Sequence, residues 1–421
     1  MSEIFMENEQ GGLSIDQIKS CLADSIRDRT LKKVLLIPPD ITRLNSGAGL
    51  ITSVYYDLLE GAHVDILPAL GTHSPMTREE QISFFGEKIP AGRFLTHRWR
   101  DGVTKIGVVP GGFVFDASGG LMDEPMDIEI SDYLLDPSYD LILSIGQVVP
   151  HEVAGMANYT KNIVIGCGGS RFINQSHILG AFCGLEQIMG RDNSPVRKVF
   201  DYAEMNYISK LPVEYVLTVT VTESERTDII GLYIGKGREG FTRAVALSRK
   251  YNLNYLESPI KTCVVWLDER EFRSAWLGNK AIYRTRMALA ENGRLIILAP
   301  GVEKFGEDAE NDRLIRKFGY VGRENILRLC KTEPELQNNL SVAAHLIHGS
   351  SDGRFSVIYA AGRMSRDEVE GAAFEYMPFD EAIGEYDPKK LSRGNNIITG
   401  GEEVFFIENP ALGLWTLKGR E

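Results

Sequence analysis

Three short apolar runs constrain the fold more than any other feature of the chain. "KKVLLIPPD" ends at a double proline, "HVDILPALGTH" at a glycine turn and "YDLILSIGQVVPH" at a proline. Each is short and nearly continuous in apolar residues, the pattern of a strand buried on both faces of a sheet. Helical stretches lie before or between them: Ile15 to Arg27, "SVYYDLLEG" and "REEQISFFG". Thr77 with Glu80 makes a capping box for the last of these. Strands alternating with helices predict a parallel sheet covered on both faces.

A different texture starts near Val213. "EYVLTVTVTESERTDIIGLYIG" reads as an antiparallel hairpin with a polar turn, and "EGFTRAVALSRKYN" as a helix. "SPIKTCVVWLDE" opens a second α/β unit. It continues through a helix ("NKAIYRTRMALAENG", closed by Gly293), the strand "RLIILAPGV", further helices and the strand "RFSVIYAAG". The expected fold is therefore α/β: two α/β domains, residues 1–257 and 258–404, with parallel or mixed sheets covered by helices. The segment 405–421 is expected to pack back on the first domain, and the active site to lie in the cleft between the domains.

The net charge of -12, with no basic cluster, argues against a nucleic-acid partner, since binding to phosphate backbones rests on Lys and Arg. No apolar run reaches the ~18 residues of a spanning helix, and "MSEIFMENEQGG" lacks the apolar core of a secretory signal. The five cysteines are scattered and form no CxxC pair, as in a reducing compartment. The expectation is a cytoplasmic protein that acts on small molecules, with neither membrane nor nucleic acid as partner.

Ligands of open α/β sheets bind beyond the carboxyl ends of the strands. "LLIPPDITR" delivers Asp40 and Arg43 there, "ILPALGTH" delivers His73, and "LSIGQVVPH" delivers His151. Any one of these residues is more often a turn former or a solvated group than a catalyst. It is their coincidence at three strand ends that points to a site. The stretch Val148–His177 adds Lys161 and His177 to His151. Two histidines at adjacent strand ends suit a racemase or epimerase, which needs an acid and a base on opposite faces of one carbon. Arg43 can grip a substrate carboxylate, with Asp40 as an orienting partner. The C–H next to an ionised carboxylate is a very weak acid, so such a site needs an electron sink. No carboxylate cluster for magnesium is present, and a cofactor is implied. His345 and His348 form an HxxH pair that is read as structural.

"PPDITR", "GTH", "PHEVAGMANYTKN" and "NQSH" together resemble the lactate racemase family, which uses a nickel-pincer nucleotide. The ten-residue step from His151 to Lys161 and the sixteen-residue step to His177 match the family's spacing. The resemblance implies that Lys161 carries the cofactor, a pyridinium-3,5-bisthiocarboxylic acid mononucleotide nickel complex, through a thioamide link. It implies His177 as the protein's ligand to nickel, His73 and His151 as the acid/base pair, Arg43 as the carboxylate site and Asp40 as its support. The implied chemistry is hydride transfer from the hydroxyl-bearing carbon to the cofactor and back to the opposite face. Cofactor-building proteins are implied as partners for loading.

The chain departs from the lactate-specific pattern in places. Asn158-Tyr159-Thr160 stand where a glycine pair precedes the lysine. "AIYRTRMALA", with Arg284 and Arg286, replaces a helix that lends Gln and Lys to substrate, and no Trp lies between Trp276 and Trp415. At most one of the two arginines is expected to point inward, with the other solvated, and Arg284 is taken as the substrate-binding one. These changes resemble relatives regarded as aldonate 2-epimerases, which act on sugar acids such as gluconate or mannonate. Racemisation of lactate or another short 2-hydroxy acid is the alternative. Two readings of other classes remain: a non-catalytic sugar-acid-binding protein, and a dinucleotide-binding oxidoreductase in which "GKGREG" (235–240) is the GxGxxG loop. "GCGGS" (166–170) is either a phosphate cradle or a tight turn.

Overall fold

The structure, a computed structural model, describes residues 3–223 and 226–419. The polar turn of the expected hairpin, at 224–225, lies outside them. The chain divides into two units, Met1–Leu179 with Gln187–Asn252, and Gly180–Glu186 with Leu253–Glu421.

The first unit contains strands β1 (Ile4–Glu7), β2 (Lys33–Ile37), β3 (His63–Ile66), β4 (Val103–Val109), β5 (Met126–Ser131), β6 (Leu141–Gln147), β7 (Pro150–His151), β8 (Gly155–Met156), β9 (Val213–Glu223) and β10 (Arg226–Gly235). Its main sheet has the order β1-β10-β9-β6-β2-β3. β3, β2, β6 and β9 run parallel to one another, β10 pairs antiparallel with β9, and β1 pairs antiparallel with β10. The hairpin texture noticed after Val213 thus extends the parallel sheet. Val34–Ile37 and Leu141–Gly146 are buried at every position, so both faces of the sheet centre are covered. Helices Ile15–Ile26, Ala48–Leu58 and Arg78–Phe85 supply Leu22, Tyr55 and Phe85 to the core around Leu36, Ile66 and Leu143. The capping box of Thr77 and Glu80 is formed.

The second unit holds β11 (Asn254–Leu256), β12 (Ile260–Trp266), β13 (Leu289–Ala299), β14 (Phe355–Ala361), β15 (Glu375–Tyr376), β16 (Gly394–Ile397), β17 (Glu403–Ile407) and β18 (Trp415–Leu417). The sheet order is β15-β14-β13-β12-β17-β16, parallel except for the edge strand β16. The α/β class holds in both units.

One expectation is corrected. The helix read over "NKAIYRTRMALAENG" stops at Thr285, and β13 begins at Leu289. "MALAEN" favours helix locally, but pairing of Leu289 with Ile260 and of Gly293 with Phe355 draws it into the sheet. Gly293 is therefore not a helix cap; a Cβ there would lie 3.0 Å from the carbonyl oxygens of Ala290 and Lys261. The segment 405–421 contributes the end of β17 and all of β18. β17 pairs with β12 and β18 with β11, because "EVFFI" satisfies the open edge of the second sheet.

Candidate active site

The double proline after β2 ends the strand, and Asp40 then caps the short turn Ile41–Ser46. The loop after β3 runs alongside, with Ala69 N–H donating to Pro38 O at 2.8 Å, and turns at Leu70 to present His73. His73 Nδ1 meets Asp40 Oδ2 at 2.6 Å. Burial pushes the Asp40 carboxyl up, but the bond and charge of His73 and the N–H and hydroxyl of Thr42 outweigh it, so the group sits below its ordinary value. An ionised Asp40 fixes the proton of His73 on Nδ1 and leaves Nε2 as the acceptor. The His73 side chain is 58% exposed and that of Asp40 only 6%.

His151 is held by a different device. β7 and β8 form a small hairpin in which His151 pairs with Gly155 across Glu152, Val153 and Ala154. Gly155 has φ +81, and a Cβ there would collide with Arg191 O, so this turn requires glycine. The turn folds two N–H groups onto the imidazole: Val153 N and Ala154 N donate to His151 Nδ1 at 3.1 and 3.3 Å. Glu152 Oε2 lies 4.0 Å from the same nitrogen.

Beyond β8 the chain reaches Lys161 through Asn158 and Tyr159, both left-handed at φ 61 and 56. Both belong to the segment Asn158-Tyr159-Thr160 that precedes the lysine. Their backbone strain is offset from the interior. Tyr159 stacks on Phe241 at 5.1 Å and packs on Tyr215 at 4.4 Å. The fully buried Arg197 donates to Met156 O at 2.6 Å and Asn158 O at 3.3 Å. Thr160 bonds Glu204 at 2.9 Å, and Tyr215 bonds the same carboxylate. Lys161 then leads into a π-helical turn, Asn162–Gly166, anchored by Asn162 on Ile37 O and Ser144. Such turns recur at functional sites.

Burial and, next, the charge of Arg43 bring the Lys161 ammonium down to about 8; Arg197 acts the same way, while Glu152 and Asp40 oppose it. His177 lies on the helix Ser170–Cys183, where Nδ1 donates to Ile173 O at 2.6 Å, leaving Nε2 as the lone-pair nitrogen. Burial lowers its pKa, and the Lys161 charge adds to this. The charges of Arg43, Asp40 and Glu152 thus act on Lys161, those of Lys161 and Glu152 act on His177, and His73 is tied in through Asp40. Sequence reasoning missed Glu152, Arg197 and Glu204, whose importance is visible only once the turn is folded.

The fold has known counterparts. Residues 16–188 match the family model of the lactate racemase N-terminal domain. A crystal structure of a Thermotoga maritima protein superposes with a TM-score of 0.79 at 26% identity, covering 98% of this chain and 100% of that one. The lactate racemase apoprotein from Thermoanaerobacterium thermosaccharolyticum has the same fold, with a TM-score of 0.70 at 16% identity over 96% of this chain and 90% of that one. No curated protein matches.

The residues suit two of the roles a nickel-pincer nucleotide requires. Lys161 is a half-buried amine with depressed basicity, and His177 is oriented by a backbone carbonyl as metal-binding imidazoles are. Among the described residues no three His, Cys, Asp or Glu side chains gather to hold a metal ion by themselves. The glycine loop does not suit a phosphate cradle. The N–H groups of Cys167, Gly168 and Gly169 are spent on Asn162, Ile165 and Glu129 carbonyls. Gly168 is there for close approach to Val164 O. "GKGREG" is likewise filled from within: it follows the antiparallel strand β10, and Gly237 N–H donates to Glu3 at 2.8 Å.

Arg284 lies in the second unit, on the helix Lys280–Thr285, and is buried. Arg286 is buried too, against the expectation that one of the pair is solvated. It leaves the helix at its C-cap and bonds Glu186, Ser350 O and Asp352 at 2.8, 3.0 and 2.8 Å. His345 stacks on Trp276 at 4.1 Å and bonds Tyr320 at 3.0 Å; burial drops its pKa to about 3. This is a structural histidine, as read.

Proposed function

We propose that this chain is a racemase or epimerase that inverts C2 of a 2-hydroxy acid with a lysine-linked nickel-pincer nucleotide, and that its substrate is an aldonate such as gluconate or mannonate. The observation that carries the reading is the pair Lys161 and His177: a half-buried amine of lowered basicity whose charge acts on an imidazole with Nε2 left as the lone-pair nitrogen. When bound, the cofactor supplies the hydride acceptor that protein side chains lack. Lys161 anchors it and His177 gives nickel one nitrogen. Arg43 holds the substrate carboxylate. His73, backed by Asp40, and His151 are the acid/base pair that takes the hydroxyl proton and returns it.

The substrate class rests on the second unit. Buried Arg284, with no Trp between Trp276 and Trp415, fits a polar substrate tail better than the methyl of lactate. The test is C2 inversion by protein co-expressed with the cofactor-building enzymes, on gluconate, mannonate, malate and lactate carrying deuterium at C2. Inversion of an aldonate with the label retained is the expected result. Lactate as the best substrate removes the aldonate assignment. Binding without inversion points to a sugar-acid-binding protein.

A further inference from the structure

We propose that Arg197 is a positioning residue for Lys161: it holds from the interior the left-handed turn that sets where the lysine stands, and Arg238 of "GKGREG" locks it in place. The role rests on the reading of Lys161 as the attachment point, while the geometry stands without it. β7 and β8 are only two residues each, and Asn158 and Tyr159 follow at φ 61 and 56, a conformation that L side chains adopt at a cost. A second segment, residues 190–197, keeps this stretch in place. Gly190 N–H donates to Gly155 O at 3.0 Å and Ser194 Oγ to Ala154 O at 3.3 Å. Arg197 Nη2 donates to Met156 O and Asn158 O at 2.6 and 3.3 Å. One segment thus takes the carbonyls of Ala154, Gly155, Met156 and Asn158.

Arg197 is the member that reaches the turn itself. It is fully buried, and a guanidinium leaves water at a cost that bonds and charge must offset. Among the described residues its Nε and Nη1 have no hydrogen-bond partner, so both hydrogen bonds of the side chain go to this stretch. The cation lies 4.6 Å from the centre of the Phe241 ring, on which Tyr159 stacks at 5.1 Å. Its charge also acts on Lys161. The helix Arg238–Asn252 locks the segment in turn. Arg238 donates to Asp192 O at 2.5 Å and to Asp201 Oδ2 at 2.9 Å, and Arg249 to Gly190 O at 2.9 Å. Asp201 sits on the same helix as Arg197, and its charge supports that cation. The glycine motif that reads as a dinucleotide loop therefore delivers the locking arginine. Lys161 follows Tyr159 by two residues, so relaxation of the left-handed pair to negative φ would swing the backbone that carries the lysine. Without Arg197 the turn loses the bonds that oppose this.

Hydrogen exchange of the apoprotein, read by mass spectrometry on peptides covering 154–163 and β2, tests the geometry without cofactor. Arg197→Met should speed exchange at 154–163 by about tenfold or more relative to β2. Leu22→Ala, which opens the core of the same unit and leaves the turn alone, should not change that ratio. Co-expression with the cofactor-building enzymes then tests the role through intact mass. The fraction carrying the added mass should fall by about tenfold or more in Arg197→Met and stay at the wild-type level in Leu22→Ala. Arg197→Lys should lie between Arg197→Met and wild type, because one nitrogen makes both bonds and an ammonium can replace it. If Arg197→Met does not fold, Arg238→Gln, which frees Asp192 and Asp201 while leaving Arg197 in place, carries the same two comparisons. An unchanged exchange ratio, a wild-type loaded fraction in Arg197→Met, or an equal loss in Leu22→Ala overturns the proposal. A wild type that gains no mass sinks the attachment reading instead, and the exchange ratio still decides whether Arg197 holds the turn.

Discussion

Asp40 Oδ2 and His73 Nδ1 lie 2.6 Å apart, joining the ends of two neighbouring parallel strands through one buried carboxylate. The bond sets the tautomer of His73 and keeps Asp40 ionised. Asp40→Asn should leave the backbone in place but lower kcat of loaded protein by about 10²–10⁴, with little change in KM, as when an orienting carboxylate is lost. The folded carboxyl lies below its ordinary value, so its stabilisation is present above that value and lost as pH falls through the folded one. Urea titrations should show a shallower loss of stability in acid for Asp40→Asn than for wild type.

Lys161 should be a cost to the unloaded protein. Its pKa falls from 10.5 to about 8, so the unfolded chain binds the extra proton between those values and stability rises with pH across that window. Below about 8 the penalty is complete and amounts to at most about 3 kcal/mol. Lys161→Met apoprotein should therefore be more stable than wild type at pH 7 in chemical denaturation. The difference should shrink in alkali.

The turn before Lys161 predicts an unusual order of substitutions. Tyr159→Phe should change stability by less than about 1 kcal/mol, because packing on Phe241 and Tyr215 is retained. Tyr159→Ala should cost about 3–5 kcal/mol. Tyr159→Gly should be less harmful than Ala by about 1 kcal/mol, since only glycine occupies φ 56 without strain. Thermal denaturation of the three apoproteins checks the order.

The two arginines of the second unit should separate by effect. Arg286→Ala strips partners from Glu186, Asp352 and Ser350 O and should destabilise by about 2–4 kcal/mol. Arg284→Ala should fold and lower kcat/KM for the aldonate more than for lactate, by about tenfold or more. Comparing Tm with the ratio of kcat/KM values distinguishes the roles.

The parallel strands were legible because "KVLLI" and "LILSIG" carry their burial in an unbroken apolar run, and the ionisable groups beyond them follow from strand direction. The end of the helix at Thr285 was not legible, since "MALAEN" favours helix until β12 and β14 claim it. The internal cation Arg197 was not legible either. Its sequence neighbours look like an ordinary amphipathic helix, and only the folded turn brings the carbonyls of Met156 and Asn158 to it. Likewise the spacing showed that His151 stands at a strand end, but not that two N–H groups cap its Nδ1.

The central claim is that Lys161 and His177 hold a metal-bearing nucleotide. Intact mass combined with nickel analysis tests it most directly, on wild type, Lys161→Ala and His177→Ala each co-expressed with the cofactor-building enzymes. Wild type should gain the mass of the cofactor and bind nickel, Lys161→Ala should gain neither, and His177→Ala should keep the added mass while retaining less nickel. An unmodified wild-type mass, or full nickel loading of Lys161→Ala, would contradict the account.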